Sequence, residues 1–112
     1  MLLVLFHYAG PVPNPDFPRG ELFHESLGIE LRIAAEEIDL TIPEISIRAH
    51  LNEHTVRRIM KHSRPATLLE TMQICRVVDL DVSTLSQRAL ARAFSKQREM
   101  EKFERSIDRE MG

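Results

Sequence analysis

Helix-capping residues follow one another closely along the middle of this chain, and their spacing constrains the fold more than any other feature. Thr41-Ile42-Pro43-Glu44 and Thr67-Leu68-Leu69-Glu70 are capping boxes, in which a Thr hydroxyl and a Glu carboxylate each satisfy a backbone N–H of the first helical turn. Asn52 and Asp81 belong to the residue types preferred at a helix N-cap. Helices that begin at such short intervals are short, so the sequence predicts a bundle of short α-helices.

Apolar residues recur at three- and four-residue steps from Glu21 to the end of the chain, as helices require. Only 5% of residues are aromatic and Trp is absent, so the core is expected to be aliphatic and the fold all-α, with five helices and a C-terminal helical extension. The predicted core faces are Leu27, Leu31, Ala34, Ala35 and Ile38 on a first helix ending near Asp39, Ile45 and Ala49 on the second, Val56 with Ile59 or Met60 on the third, and Leu68, Met72, Cys75 and Val78 on the fourth.

The second and third helices are joined by only His50-Leu51-Asn52, which is the spacing of a helix-turn-helix. Leu51 is placed to fill the angle between the two helices. The third helix, Glu53 to about Lys61, then leaves a polar face for solvent or a ligand, made of Glu53, His54, Thr55, Arg57, Arg58 and Lys61.

The segment from Leu27 to Leu85 resembles the phage repressor and Cro type of helix-turn-helix domain, the XRE-like family. The resemblance rests on Leu27-Gly28 with Leu31-Arg32, Leu40-Thr41 with Glu44-Ile45 and Arg48-Ala49, Thr55-Val56 with Arg58-Ile59, Arg64-Pro65 with Thr67-Leu68, and Ile74-Cys75-Arg76. The chain has His50 where the family usually has a turn Gly, and Ile42 where it often has a phosphate-binding Gln. His is enriched among non-Gly residues in left-handed conformations, and helix-start N–H groups remain for an anion.

The resemblance implies a sequence-specific regulator of transcription, a repressor, that binds double-stranded DNA through its third helix. The residues implied to contact base edges are Glu53, His54, Arg57 and Arg58, and those implied to hold phosphates are Thr41, Lys61, Ser63 and Arg64. Between Thr41 and Thr67 five basic and two acidic residues give a local charge of +3, although the whole chain carries -2. This localised positive charge suits a polyanion, whereas a solvated helix face is the alternative reading.

Other classes of function remain to be weighed against DNA binding. His50, His54 and His62 are candidate metal ligands, but His50 falls in the turn, so the one-face spacing of a helical pair is missing and neither a metal nor a cofactor is expected. The serines lack a nucleophile elbow and there is no phosphate-binding glycine loop, so an enzyme is not expected. A protein-interaction module or an antitoxin-like subunit on the same fold stays open as the alternative.

Both ends of the chain are expected to lie outside the helix-turn-helix domain, which spans residues 21–86. Residues 1–20 contain four prolines and predict an extended or disordered arm, and the apolar opening Met1–Phe6 is too short for a membrane span. The lone Cys75 excludes an intramolecular disulfide and suits a cytoplasmic protein.

Residues 87–112 predict one or two amphipathic helices with an apolar stripe of Leu90, Phe94, Met100, Phe103, Ile107 and Met111. Such a stripe packs either on the core or against a second copy. We favour a homodimer with Met100, Phe103 and Ile107 as the interface, surrounded by Arg98, Lys102 and Arg105 against Glu99, Glu101 and Glu104.

Overall fold

A computed structural model describes residues 17–61 and 63–111, without the side chain of Met111. Residues 1–16 of the arm expected over residues 1–20 lie outside the described residues, and so does His62. Within the described ranges the chain is all-α, as predicted, and its helices are α1 (Gly20–Glu37), α2 (Ile42–Ala49), α3 (Glu53–Met60), α4 (Leu68–Val78) and α5 (Val82–Met111). None of these helices is both long and apolar enough to cross a bilayer.

The predicted helix starts are confirmed. Thr41 accepts a hydrogen bond from the Glu44 N–H while the Glu44 carboxylate accepts from the Thr41 N–H, and Thr67 and Glu70 repeat this exchange. The side chain of Asn52 accepts from the His54 N–H at 2.8 Å, and Asp81 accepts from the Thr84 N–H at 3.2 Å. Local hydrogen bonding thus fixes where α2, α3, α4 and α5 begin.

Each helix contributes a fully buried aliphatic side chain to one core. Leu31, Ile45, Val56, Ile74 and Leu85 all have 0% of their surface exposed. The long helices α1 and α5 pack against each other, while α2 packs on α3 and α4. The short helices are therefore held on one side of the α1/α5 pair. The boundary expected at 86/87 falls inside the continuous helix α5, where Ala89 and Ala93 are fully buried.

Three predicted core positions are wrong. On α4, Leu68 and Met72 are 71% and 51% exposed, and the buried face is instead Thr71, Ile74, Cys75 and Val78. Thr71 can be buried because its hydroxyl donates to the Thr67 carbonyl at 2.8 Å, so no polar group is left unsatisfied. Ile38 is 43% exposed because α1 ends one residue earlier, and the chain turns through Asp39 at a φ of 55°.

Candidate nucleic-acid interface

The turn between α2 and α3 reverses the chain without glycine. His50 takes a left-handed conformation with φ 57° and ψ 41°, as the sequence suggested. The Leu51 N–H donates to the Ser46 carbonyl at 3.1 Å, and the Ser46 hydroxyl in turn donates to the Leu51 carbonyl. Leu51 is half-buried and packs against the core, as predicted. The turn therefore holds α2 and α3 at a fixed angle.

Helix α3 divides into a buried and an exposed face. Val56, Ile59 and Met60 are all buried. The sequence predicts Ile59 or Met60 as the core residue beside Val56, and both belong to the core. On the other face Glu53, His54 and Arg58 are exposed, and Lys61 follows at the C-terminal end. Thr55 and Arg57 are half-buried. The polar face predicted for this helix is thus accessible to a ligand.

A side chain that sequence reasoning missed supports this arrangement from α4. Gln73 donates from its side-chain amide to the Ala49 carbonyl at 3.2 Å, which ties the last turn of α2 to α4. The bond satisfies one of the orphan carbonyls at the end of α2. No spacing rule identifies such a residue, because its partner lies far away in the sequence.

The four residues expected to contact base edges all lie on α3 or at its start, but they differ in their freedom. Arg57 pairs with Glu53 one turn earlier, with 3.0 Å between the guanidinium nitrogen and the carboxylate oxygen. Both side chains are more than 40% exposed, so this pair contributes little to stability and can be broken by a ligand. His54 and Arg58 take part in none of the ion pairs among the described residues.

Three of the four residues expected to hold phosphates are engaged within the protein. The Thr41 hydroxyl donates to the Glu44 carboxylate at 2.9 Å, and the Ser63 hydroxyl donates to the Arg58 carbonyl at 3.2 Å. Arg64 donates through two nitrogens to the Glu70 carboxylate and through one of them to the Pro65 carbonyl. Lys61 is the remaining member of the set, and its side chain is exposed.

The Arg64–Glu70 pair shapes the connection between α3 and α4. Hydrogen bonds from Arg64 and from the Thr67 N–H lower the pKa of Glu70 to about 2. The same contact with Glu70 raises the pKa of Arg64. Because both charges are satisfied internally, this arginine positions the loop that carries Ser63 and presents less free charge to a ligand than the sequence suggested.

The start of α2 is also less open to an anion than expected. Pro43 has no N–H, and the N–H groups of Thr41 and Glu44 are both taken by the capping box. The Glu44 carboxylate lies at the same helix end, and hydrogen bonds from Thr41 lower its pKa. The capping box therefore supplies the negative charge that an anion would otherwise bring to this helix end.

Other candidate residues are the histidines weighed as metal ligands, Cys75 and the residues expected at a dimer interface. His50 and His54 are exposed on the turn and on α3, and the described residues contain no group of three or more His, Cys, Asp or Glu side chains arranged to hold a metal. Cys75 is buried on α4, and burial raises the pKa of its thiol to about 11. The three residues expected at a dimer interface lie on the last turns of α5, where Met100 is half-buried and Phe103 and Ile107 are exposed.

Comparison with solved structures shows that this fold is shared with a known regulator. The chain is similar to the crystal structure of the clp gene regulator ClgR from Corynebacterium glutamicum, with a TM-score of 0.65 and 16% sequence identity over 77% of this chain and 90% of that one. No protein-family model and no curated protein sequence matches the chain.

Proposed function

We propose that this protein is a sequence-specific regulator of transcription that binds double-stranded DNA with α3 in the major groove. The observation that carries the proposal is the left-handed turn at His50, which presents the exposed basic face of α3 clear of the core. An α-helix fits the major groove, where its side chains reach base edges. The fold shared with ClgR, itself a gene regulator, supports the same function.

Within this proposal the exposed residues of α3 have separate roles. Arg58 is exposed and unpaired among the described residues, so it can make two parallel hydrogen bonds to guanine. His54 and Arg57 lie on the first turns of the same helix and extend the base-reading surface, and Glu53 at the first position of the helix pairs with Arg57. Lys61 is exposed at the end of α3 and holds a phosphate, while Thr41, Ser63 and Arg64 shape the backbone beside the DNA and contact phosphates less directly.

Repression follows from the resemblance to phage repressors. A regulator bound at a promoter represses transcription when it blocks other proteins from the same stretch of DNA. Binding to a promoter and the effect on transcription are measured separately. The DNA-binding proposal therefore holds even if the protein activates transcription.

Selection of binding sites from random duplexes tests the DNA-binding proposal. We expect Arg58→Ala to relax the preference at one base pair of each half-site, by about 1–3 kcal/mol of discrimination. Lys61→Ala should weaken binding to all sequences alike and lower the dependence of log K on log salt by about one. Arg32→Ala on α1, where Arg32 already pairs with Glu36 at 3.9 Å, is the matched control and should change neither property.

Two results would contradict the proposal. The first is failure of the wild-type protein to bind any duplex at low salt. The second is an equal, sequence-independent loss for Arg58→Ala and Lys61→Ala, which would show that α3 is not the base-reading helix.

A protein-interaction module is the second candidate function, because apolar side chains are exposed on the first turns of α4. Leu68, Leu69 and Met72 are 71%, 66% and 51% exposed. They form an apolar surface that offers no hydrogen bond or charge to a DNA phosphate, but that a protein partner could cover. Substitution of Leu69 by Gln should leave DNA binding unchanged under the first proposal, and it should weaken the binding of a protein partner under the second.

A further inference from the structure

A groove between α1 and α5 holds polar side chains that the proposed DNA-binding function does not use. It consists of a larger cavity of about 460 Å³ and a smaller one of about 180 Å³, and both are lined by Arg92 and Lys96. We call the smaller one the α1/α5 cavity, and its walls are formed by Leu22, Glu25, Ser26, Ile29, Arg92 and Lys96. None of these residues belongs to α3, and α3 and α5 do not pack against each other within the described ranges.

The Ser26 hydroxyl lies in the wall of this cavity without a hydrogen-bond partner among the described residues. Ser26 is only 3% exposed. On other helices the buried Thr71 and the half-buried Ser86 each donate at 2.8 Å to the carbonyl one turn earlier. A buried hydroxyl without a partner is destabilising, and a ligand in the cavity can supply the missing bond.

Side chains of opposite charge line the cavity without neutralising each other. Glu25 comes from α1 and Lys96 from α5, and neither takes part in the ion pairs among the described residues. Arg92 is held by Glu30, with 3.0 Å between a guanidinium nitrogen and a carboxylate oxygen. Only one terminal nitrogen of Arg92 donates in this pair, so its other N–H groups remain for a ligand.

A small molecule that carries both charges matches these walls. Its carboxylate can accept charge-assisted hydrogen bonds from Arg92 and Lys96, which are stronger than those between neutral groups. The Ser26 hydroxyl can donate to the same carboxylate. An ammonium group on the ligand can donate to Glu25, whereas a nucleic-acid backbone carries only negative charge and is repelled by this residue.

The size and the apolar walls of the cavity narrow the ligand further. Leu22 and Ile29 offer hydrocarbon surface to an aliphatic group. Sites for drug-sized ligands occupy about 300–1,000 Å³, so a cavity of about 180 Å³ takes a smaller molecule. A zwitterion with a short aliphatic side chain meets each of these conditions.

We propose that the α1/α5 cavity binds a small aliphatic α-amino acid. The carboxylate of the ligand is held by Ser26, Arg92 and Lys96, and its ammonium group by Glu25. The Glu30 carboxylate positions Arg92 for this contact. This proposal does not depend on DNA binding by α3.

Nuclear magnetic resonance of the isotope-labelled full chain tests the ligand class by titration with three related molecules. L-valine has both charges, isovalerate lacks the ammonium group, and isobutylamine lacks the carboxylate. Titration over about 0.1–20 mM brackets a Kd of about 1 mM, and L-valine should shift the amide signals of both cavity walls. Isovalerate and isobutylamine should each bind about tenfold more weakly, because each loses charge-assisted hydrogen bonds. Absence of binding by L-valine, or equal binding of isovalerate, would overturn the proposal.

Substitutions in the cavity test the role of each wall. Glu25→Gln should weaken binding of L-valine but leave binding of isovalerate unchanged. Lys96→Met should weaken L-valine by about tenfold, whereas Lys102→Met, on the same helix but outside both cavities, should change its Kd by less than about twofold.

Ser26→Ala separates a binding role from a packing role. It removes the unpartnered hydroxyl without adding volume, so it should weaken L-valine by about threefold or more and should not lower the stability of the free protein. Circular dichroism of each variant checks that it is folded. Unchanged affinity of Ser26→Ala, or equal effects of Lys96→Met and Lys102→Met, would overturn the proposal.

Discussion

The substitution Glu70→Gln tests the most tightly bonded contact beside the proposed DNA-binding helix. Glu70 accepts hydrogen bonds from Arg64 and from the Thr67 N–H, and its side chain is only 15% exposed. Glutamine has the same shape and can still accept from the Thr67 N–H. The substitution therefore removes the negative charge that faces Arg64 and leaves the capping geometry in place.

The size of the effect follows from the pKa of Glu70. A fall from 4.5 to about 2 on folding corresponds to about 3 kcal/mol of stability at neutral pH. Arg64 is 26% exposed, and solvent screening reduces the expected contribution to about 1–2 kcal/mol. Because the folded pKa is the lower one, this contribution is complete above pH 4.5 and is lost as the pH falls toward 2.

Chemical unfolding followed by circular dichroism at a series of pH values between 7 and 2 measures this effect. Glu70→Gln should lower the free energy of unfolding at pH 7 by about 1–2 kcal/mol, and the difference should shrink as the pH falls. Glu44→Gln is the matched control, because Glu44 holds the same place in the other capping box but is exposed and forms no ion pair with an arginine in the described structure. Equal losses for the two variants, or a difference for Glu70→Gln that does not change with pH, would refute the reasoning.

Two further substitutions test the turn and the first residue of α3. His50→Gly should stabilise the protein by about 0.5–1 kcal/mol, because glycine adopts the left-handed conformation without strain. Asp79 has a similar φ of 56°, so Asp79→Gly should also be stabilising, and thermal unfolding of both variants checks this. Glu53→Gln should strengthen binding to all DNA sequences equally, because it frees Arg57 and removes a charge that phosphates repel. A changed preference at a cytosine in binding-site selection would instead show that Glu53 reads a base.

Helix starts were predictable here because a capping box is a local structure, in which both partners lie within four residues. The left-handed turn at His50 was predictable for a similar reason, since the apolar repeat of α2 ends at Ala49 and the Asn52 cap of α3 follows three residues later. The buried face of α4 was not, because two overlapping apolar stripes fit the same periodicity. Burial of Thr71 depends on a hydroxyl bond that the hydrophobic pattern does not contain.

The sequence predicts which face of α3 is exposed, but it does not predict which polar side chains on and near that face are free of partners within the protein. The exposed side of α3 follows from the helical repeat once Val56 and Ile59 are placed in the core. Whether a polar side chain is free to bind a ligand depends on partners brought close by folding. The sequence predicts Arg64 as a phosphate ligand, but folding pairs it with Glu70. Gln73 has no local sequence signal, because its partner Ala49 lies on another helix.

The number of basic side chains outside ion pairs links the DNA-binding proposal to the homodimer expected from the sequence. Between Thr41 and Thr67, Arg57 and Arg64 are tied to carboxylates, which leaves Arg48, Arg58 and Lys61 outside the ion pairs of the described residues. Counterion release from three phosphate contacts gives a slope of log K against log salt of about -3 for one copy. A dimer on two half-sites about 34 Å apart doubles the contacts and should give about -5. A slope near -3 on a duplex with one half-site and also on a duplex with two half-sites would mean that copies bind independently. That result would contradict the dimer but not the assignment of α3 as the DNA-binding helix.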